Sequence, residues 1–311
     1  MKKIPVGTTI AHAYRFAFGD FFRILGVMWL PMAIMWLPSL LMRARIMALS
    51  AQFAAHDFSA MREMWGVLLP LYLAVFVFLF MQMIGIARLA LGLQRGTVWF
   101  YFSLGKPVWR LIGSYLLVIV ATIIGWLAVI LGSVLIGFLA GLIAKSVNNS
   151  AFGVITAILA GLGMIFLWCG VLYCFVRLTF LLVPVVAAEE EGFALAHSWT
   201  LGLGNFWRMF AILLVILVPF ILLECIFVFG FMFKGLPFPP PHASADQAAA
   251  FQMALNANAL TMMNNMYHYW YISFPLTIAV MVVFYGMAVG AQCFAYRALT
   301  QSEALDPIAG N

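Results

Sequence analysis

Residues 207–233 read WRMFAILLVILVPFILLECIFVFGFMF. After Arg208, the whole of 209–233 carries a single charge, Glu224. An apolar run of about eighteen residues or more is long enough, at 1.5 Å per helical residue, to cross a ~30 Å hydrocarbon core. Five further runs of this kind lie outward from it, at 24–42, 65–87, 111–143, 151–187 and 269–296. With 66% apolar residues, 8% charged and a mean hydropathy of +1.09, the chain lies far from soluble domains, where charge is about 25%. The runs are continuous rather than alternating, which excludes a β-barrel. The expected fold is an all-α integral membrane protein of six spans, forming one domain over 1–311 with no linker to a second.

The arginine that opens the 207–233 stretch belongs to a pattern. An aromatic, seven residues, then an aromatic-Arg pair occurs as Tyr14 with Phe22-Arg23, Tyr101 with Trp109-Arg110, and Trp199 with Trp207-Arg208. Each opening is followed by two apolar runs and a closing arginine, at Arg88, Arg177 and Arg297. Such self-similarity predicts three two-helix units, approximately 8–96, 97–188 and 189–299. Aromatic and arginine side chains together at a span boundary form an interfacial anchor. Each unit is therefore expected to begin with a short cytoplasmic helix at the membrane surface, turning into the bilayer near Gly19, Lys106 or Gly204.

Orientation follows from the sixteen basic residues. Eleven fall on the side that carries both termini, against Arg43, Arg45, Arg62, Lys145 and Lys234 on the other. This bias places both ends in the cytoplasm of a bacterial-type inner membrane. The net charge of +6 is thereby explained without a nucleic-acid partner, and no basic groove with base-stacking aromatics is present. Met1-Lys2-Lys3 is too far from the first apolar run to read as a cleaved signal. Cys169, Cys174, Cys225 and Cys293 all fall within spans, read as small packing residues, and show no metal spacing.

The units differ in their middles. Unit two has long runs rich in glycine, with Gly137/Gly141 and Ala157/Gly161 at the four-residue spacing that permits close helix contact. It either tilts and protrudes or breaks near Gly125, Gly132 or Gly141. Gly286/Gly290 repeat the four-residue spacing in the last span. Units one and three carry Pro31, Pro38, Pro70, Pro219 and Pro275, which kink membrane helices. Two outer loops read as helical, 46–55 and 244–265, the second after Pro239-Pro240-Pro241 and opened by the capping-box pattern Ser244-Ala245-Asp246-Gln247. Phe251, Leu255 and Met262 of that loop are placed to cover the outer mouth of the bundle.

Few residues carry chemistry. Glu224 is the one carboxylate within a span, about 24 Å along the helix from Arg208, and an intramembrane acid is a transport candidate unless it reaches water or Lys234 or Arg45. Gln82 and Gln292 precede closing arginines and are expected to hydrogen-bond across helices at ~0.6–2 kcal/mol each. Arg23, Arg110 and Arg208 are candidates for binding anionic lipid headgroups. His12 and His197 occupy matching positions, but Trp99 stands in the third copy, which favours packing over metal. Glu189-Glu190-Glu191 with His197 is the one acid–histidine grouping and reads as a solvated turn. No P-loop, HExxH or GxSxG occurs, so neither catalysis nor a cofactor nor a metal is expected.

The stretch from Val185 to Arg208 also carries a resemblance, in the end of a span at Pro184, the acid-Gly turn at Glu191-Gly192, Ala194-Leu195, Ser198-Trp199 and Gly204-Asn205 with Arg208. It is similar to an element of the bacterial six-span membrane-domain family named after glycerophosphoryl diester phosphodiesterase, and of related inner-membrane families. In fused members, the resemblance implies, hydrolysis belongs to a separate barrel domain; here the membrane spans use up the sequence, so no such activity is expected. The expectation is thus a non-catalytic inner-membrane protein, a lipid-contacting scaffold or envelope-maintenance factor whose named partner is membrane lipid. Its rival is a small transporter or channel coupled through Glu224. No protein partner can be read from the sequence.

Overall fold

The computed structural model describes residues 2–42, 45, 49, 59–94, 99, 101–147, 150–189, 191–233 and 244–300. Arg43, Arg95, Glu190, Lys234, Pro239-Pro240-Pro241 and most of the 46–55 loop lie outside them, as does the side chain of Lys145. The described residues form ten α-helices and no strand. They are α1 (Val6–Gly19), α2 (Phe21–Leu41), α3 (Ser59–Ala90), α4 (Lys106–Val147), α5 (Ser150–Thr179), α6 (Leu182–Ala188), α7 (Ala194–Leu201), α8 (Phe206–Met232), α9 (Ala245–His268) and α10 (Trp270–Thr300).

Five stretches of helix are long and apolar enough to cross a membrane, and α1 with α2 makes a sixth if the pair, bent by 70° at Asp20, counts as one span. The expected run at 151–187 is broken at Phe180-Leu181 into α5 and α6. Pro184 has no N–H to offer the Phe180 carbonyl, and Thr179 turns its hydroxyl back onto the Phe175 carbonyl at 2.8 Å, an arrangement that bends helices. The 42-residue α4 is unbroken at its glycines and extends for about 63 Å. Helix α3 continues through Pro70, α8 through Pro219 and α10 through Pro275.

The long helices close a ring in chain order. Helix α2 packs on α3, α3 on α4, α4 on α5, α5 on α8, α8 on α10, and α10 returns to α2 and also packs directly on α3. Short α6 is wedged at one end of this ring, against α3, α4 and α10, with Leu182, Val183, Pro184, Val185 and Val186 all buried. That end carries all six framing arginines and is called the basic end. The core lies there too: its buried residues come from 13–17 of α1, 24–28 of α2, 80–90 of α3, 108–118 of α4, 176–186 of α5 and α6, 194–195 of α7, 209–216 of α8 and 278–295 of α10.

Residues at one offset from Arg23, Arg110 and Arg208 share one environment. The preceding aromatics all face outward, with Phe22 72%, Trp109 56% and Trp207 76% exposed. One residue after the arginine, Ile24, Leu111 and Met209 are all buried, as are Val27, Ser114 and Ile212 three residues later. These positions lie on one face of a 3.6-residue helix. The segments before the arginines differ. Helices α1 and α7 are short helices in the expected places, but the described residues before α4, Trp99 and Tyr101–Gly105, are not helical. Tyr101 is instead buried beside Gly85 of α3.

The α4–α5 hairpin stands apart. Between Ile119 and Leu142 only Val129 is buried among the described side chains, and no described α5 side chain is buried before Val176. The two helices are knitted to each other at Gly125, Gly132 and Gly163, where a Cβ would meet Val171, Leu167 and Ile136 at 3.1–3.5 Å. The glycines expected to do this, Gly137, Gly141 and Gly161, face open space. Gly286 and Gly290 do make the expected close contact, since a Cβ there would come within 2.9 Å of Ile24 and Phe16 respectively. Ala13 and Ala17 of α1 supply the opposing small surface, so α1 is docked on α10. At the far end, Ser244 caps α9 as expected, accepting from the Gln247 N–H at 3.3 Å while its own N–H donates to Gln247 Oε1 at 3.1 Å. Phe251, Leu255 and Met262 are half-buried.

Candidate functional site

At the basic end the framing arginines take different positions. The Arg110 guanidinium donates to the backbone carbonyls of Glu189, Glu191 and Gly192, the last two at 3.0 and 2.6 Å. This bond set fixes the acid-Gly turn, in which Gly192 has φ +93°, a left-handed conformation open to glycine. Arg208 donates to the Ile4 carbonyl at 2.9 Å. Asn205 completes that clamp, its Oδ1 accepting from the Ile4 N–H at 3.0 Å and its Nδ2 donating to the Lys2 carbonyl at 3.0 Å. Arg177 is buried, donates to the Tyr173 hydroxyl at 2.8 Å and the Trp199 carbonyl at 2.9 Å, and lies 3.7 Å from the Trp199 ring centroid. Ser198, fully buried beside it, donates to the Leu178 carbonyl at 3.2 Å.

The remaining three lie toward one seam. Arg23 pairs with Asp20 at 2.9 Å and is half exposed. Arg88 lies close to Tyr101; burial raises that phenol above its ordinary value and the Arg88 charge draws it partly back. Arg297 reaches over the turn at the end of α3, where Gly92 has φ +67° and a Cβ would come within 3.6 Å of the guanidinium. A cleft of about 650 Å³ opens here between α1, α2, the end of α3 and α10. Arg15, Arg23, Arg297 and His12 line it on the polar side, Phe16 and Phe294 on the apolar side. Arg15 and Arg297 have no hydrogen bond or ion pair to any described residue.

Other candidates are separated from this cleft. Glu224 points outward from α8 among exposed Leu222, Leu223 and Ile226, with no ion pair or hydrogen bond among the described residues. Arg45, one of its expected partners, pairs with Glu63 at 2.6 Å. Gln82 is buried and donates to the Met28 carbonyl at 3.5 Å. Gln292 is half-buried, its Oε1 enclosed without a hydrogen-bond partner. His197 and Glu189 do more than form a solvated turn: Glu189 Oε1 accepts from the Tyr296 hydroxyl at 3.1 Å and lies 3.4 Å from His197 Nε2. His12 packs against the Phe294 ring at 5.2 Å. Among the described residues no group of three or more His, Cys, Asp or Glu is placed to hold a metal ion. Of the four cysteines only Cys293 is buried; Cys169 and Cys174 face outward.

Sequence reasoning missed the roles of Asn205 and Ser198 and the placing of Arg15 and Arg297 on one cleft. Ser198 and Asn205 stood in the motif that carries the resemblance, but a polar residue near a span boundary looks solvated until its acceptor is known. Arg15 was counted only as charge. No family model, no curated protein and no solved structure matches the chain.

Proposed function

We propose that the chain is a non-catalytic, lipid-contacting scaffold or envelope-maintenance protein of a bacterial inner membrane, with both termini cytoplasmic. The observation that carries this reading is the α6 wedge: apolar side chains from Leu181 to Val186 are buried at the basic end, where α6 packs against α3, α4 and α10. A transport route would need polar groups lining a passage at that depth. The apolar outside of the long helices fits contact with lipid along their length.

The three-unit plan belongs to the same proposal, with units near 8–96, 97–188 and 189–299. It is supported by the shared burial at matching offsets and by how each opening rests on the preceding unit. Tyr101 packs beside Gly85 of α3, Trp199 beside Arg177 of α5, and α1 against α10. That cyclic order fits three units around one axis. The likeness of residues 185–208 to the glycerophosphoryl diester phosphodiesterase membrane-domain family is part of this proposal as well, without any hydrolytic activity.

Proteoliposomes test the reading against a transporter. The protein is expected to give no proton or solute flux above empty vesicles and to retain anionic lipid through purification. Flux that Glu224→Gln abolishes would replace the scaffold with the transporter. A reporter fused after Asn311 that reads as periplasmic would reverse the orientation.

A further inference from the structure

We propose that the cleft between α1, α2, the end of α3 and α10 binds a phosphate-class anion, and that a phospholipid headgroup is its source. The inference rests on the lipid-contacting reading and names the site within it. Three guanidiniums face the cleft, from Arg15, Arg23 and Arg297, against one carboxylate, Asp20. Asp20 is already paired with Arg23, so two cations there are uncompensated by any described residue.

Three other framing arginines differ. Arg110, Arg177 and Arg208 each donate to at least one backbone carbonyl, although the Arg177 Nε is enclosed without a partner. Arg15 and Arg297 converge instead on a cavity of about 650 Å³, within the roughly 300–1,000 Å³ range of small-ligand sites. Guanidinium forks suit phosphate oxygens in geometry and charge.

The other wall distinguishes the source. Phe16, Leu89 and Phe294 give the cleft an apolar side next to its cations. A free phosphate gains nothing from such a wall, whereas a phospholipid carries phosphate and acyl chain side by side. The cleft lies at the basic end, beside exposed Phe22, at the level where the proposed orientation puts headgroups.

The test uses the full chain, purified in detergent, delipidated, and titrated with short-chain phosphatidylglycerol, phosphate-free diacylglycerol and inorganic phosphate. Phosphatidylglycerol is expected to bind and diacylglycerol not. The Arg15→Gln/Arg297→Gln double variant should weaken binding by roughly tenfold or more, the loss expected for charge-assisted bonds. Gly19→Phe should weaken it comparably with every arginine in place, because Gly19 lines the cleft and a Cβ there meets no atom within 4 Å. This second variant decides the matter alone if the double variant fails to fold. Phosphate binding that these variants remove, without lipid binding, would keep the anion site and overturn the lipid source. Unchanged affinity in both variants overturns the site; anionic lipid retained by the same proteins would then leave the lipid-contacting reading standing without it. A wild-type chain that binds neither phosphate nor anionic lipid would sink both.

Discussion

Arg110 and Arg23 stand at the same position of the repeated pattern, each preceded by an outward aromatic and followed by a buried aliphatic residue. Arg110 is absorbed by the fold, its donors directed to three carbonyls of the 189–192 turn. Arg23 makes one half-exposed ion pair on the lip of an open cleft. The difference lies in what the chain places opposite. Arg110 meets a turn whose carbonyls have no helical partners, while Arg23 follows directly on the α1–α2 bend and finds only Asp20. Among apolar surroundings, helices gain little from hydrophobic association and rely on packing and hydrogen bonds. The stitched arginines hold the assembly together, and the cleft arginines are left available.

Four substitutions break or sharpen that contrast. The largest effect is expected for Asn205→Leu, which leaves the buried Ile4 N–H and the Lys2 carbonyl without partners. A loss of up to about 3 kcal/mol follows from orphaning the buried Ile4 N–H, read as a lowered thermal midpoint in detergent. A midpoint equal to wild type would show that the N-terminal clamp is dispensable. Arg110→Gln should cost about 2 kcal/mol of stability while leaving phosphatidylglycerol affinity within about twofold, as expected for a distant, independent site. The opposite outcome, normal stability with lost lipid binding, would erase the distinction between stitched and available arginines. Arg23→Gln is expected to cost less than about 1 kcal/mol, since its ion pair is exposed, yet to weaken lipid binding measurably. Glu224→Gln comes last: an outward side chain with no described partner should shift stability by no more than about 0.5 kcal/mol and leave vesicle flux unchanged.

Much of the fold was legible in advance because a span announces itself by length and composition. The run at 209–233 became α8 within three residues at its start and one at its end, and Ser244 with Gln247 marked the start of α9 through local bonding alone. The helical segment expected before Arg110 was not found at the described residues, because only Tyr101 and the Trp109-Arg110 pair were matched and nothing in that match required the intervening backbone to be helical. The break at Phe180-Leu181 was missed although Pro184 had been noted; a proline in an apolar run marks a possible interruption without saying whether the helix kinks or ends. Among glycines, Gly286 and Gly290 faced a neighbouring helix while Gly137 and Gly141 did not, since spacing defines a face and only packing supplies its partner.

By itself, then, the sequence determined which segments are apolar enough to leave water, roughly where they lie, and where the basic residues fall along them. These are properties of single segments, decided by partition of side chains along one axis. The tertiary structure alone decided which arginines are committed and which are open. The acceptors of Arg110 lie 79 to 82 residues along the chain, and that of Arg208 lies 204 residues away. A hydrogen bond depends on approach to within about 3 Å, and no pattern of residue types encodes which distant carbonyl arrives there.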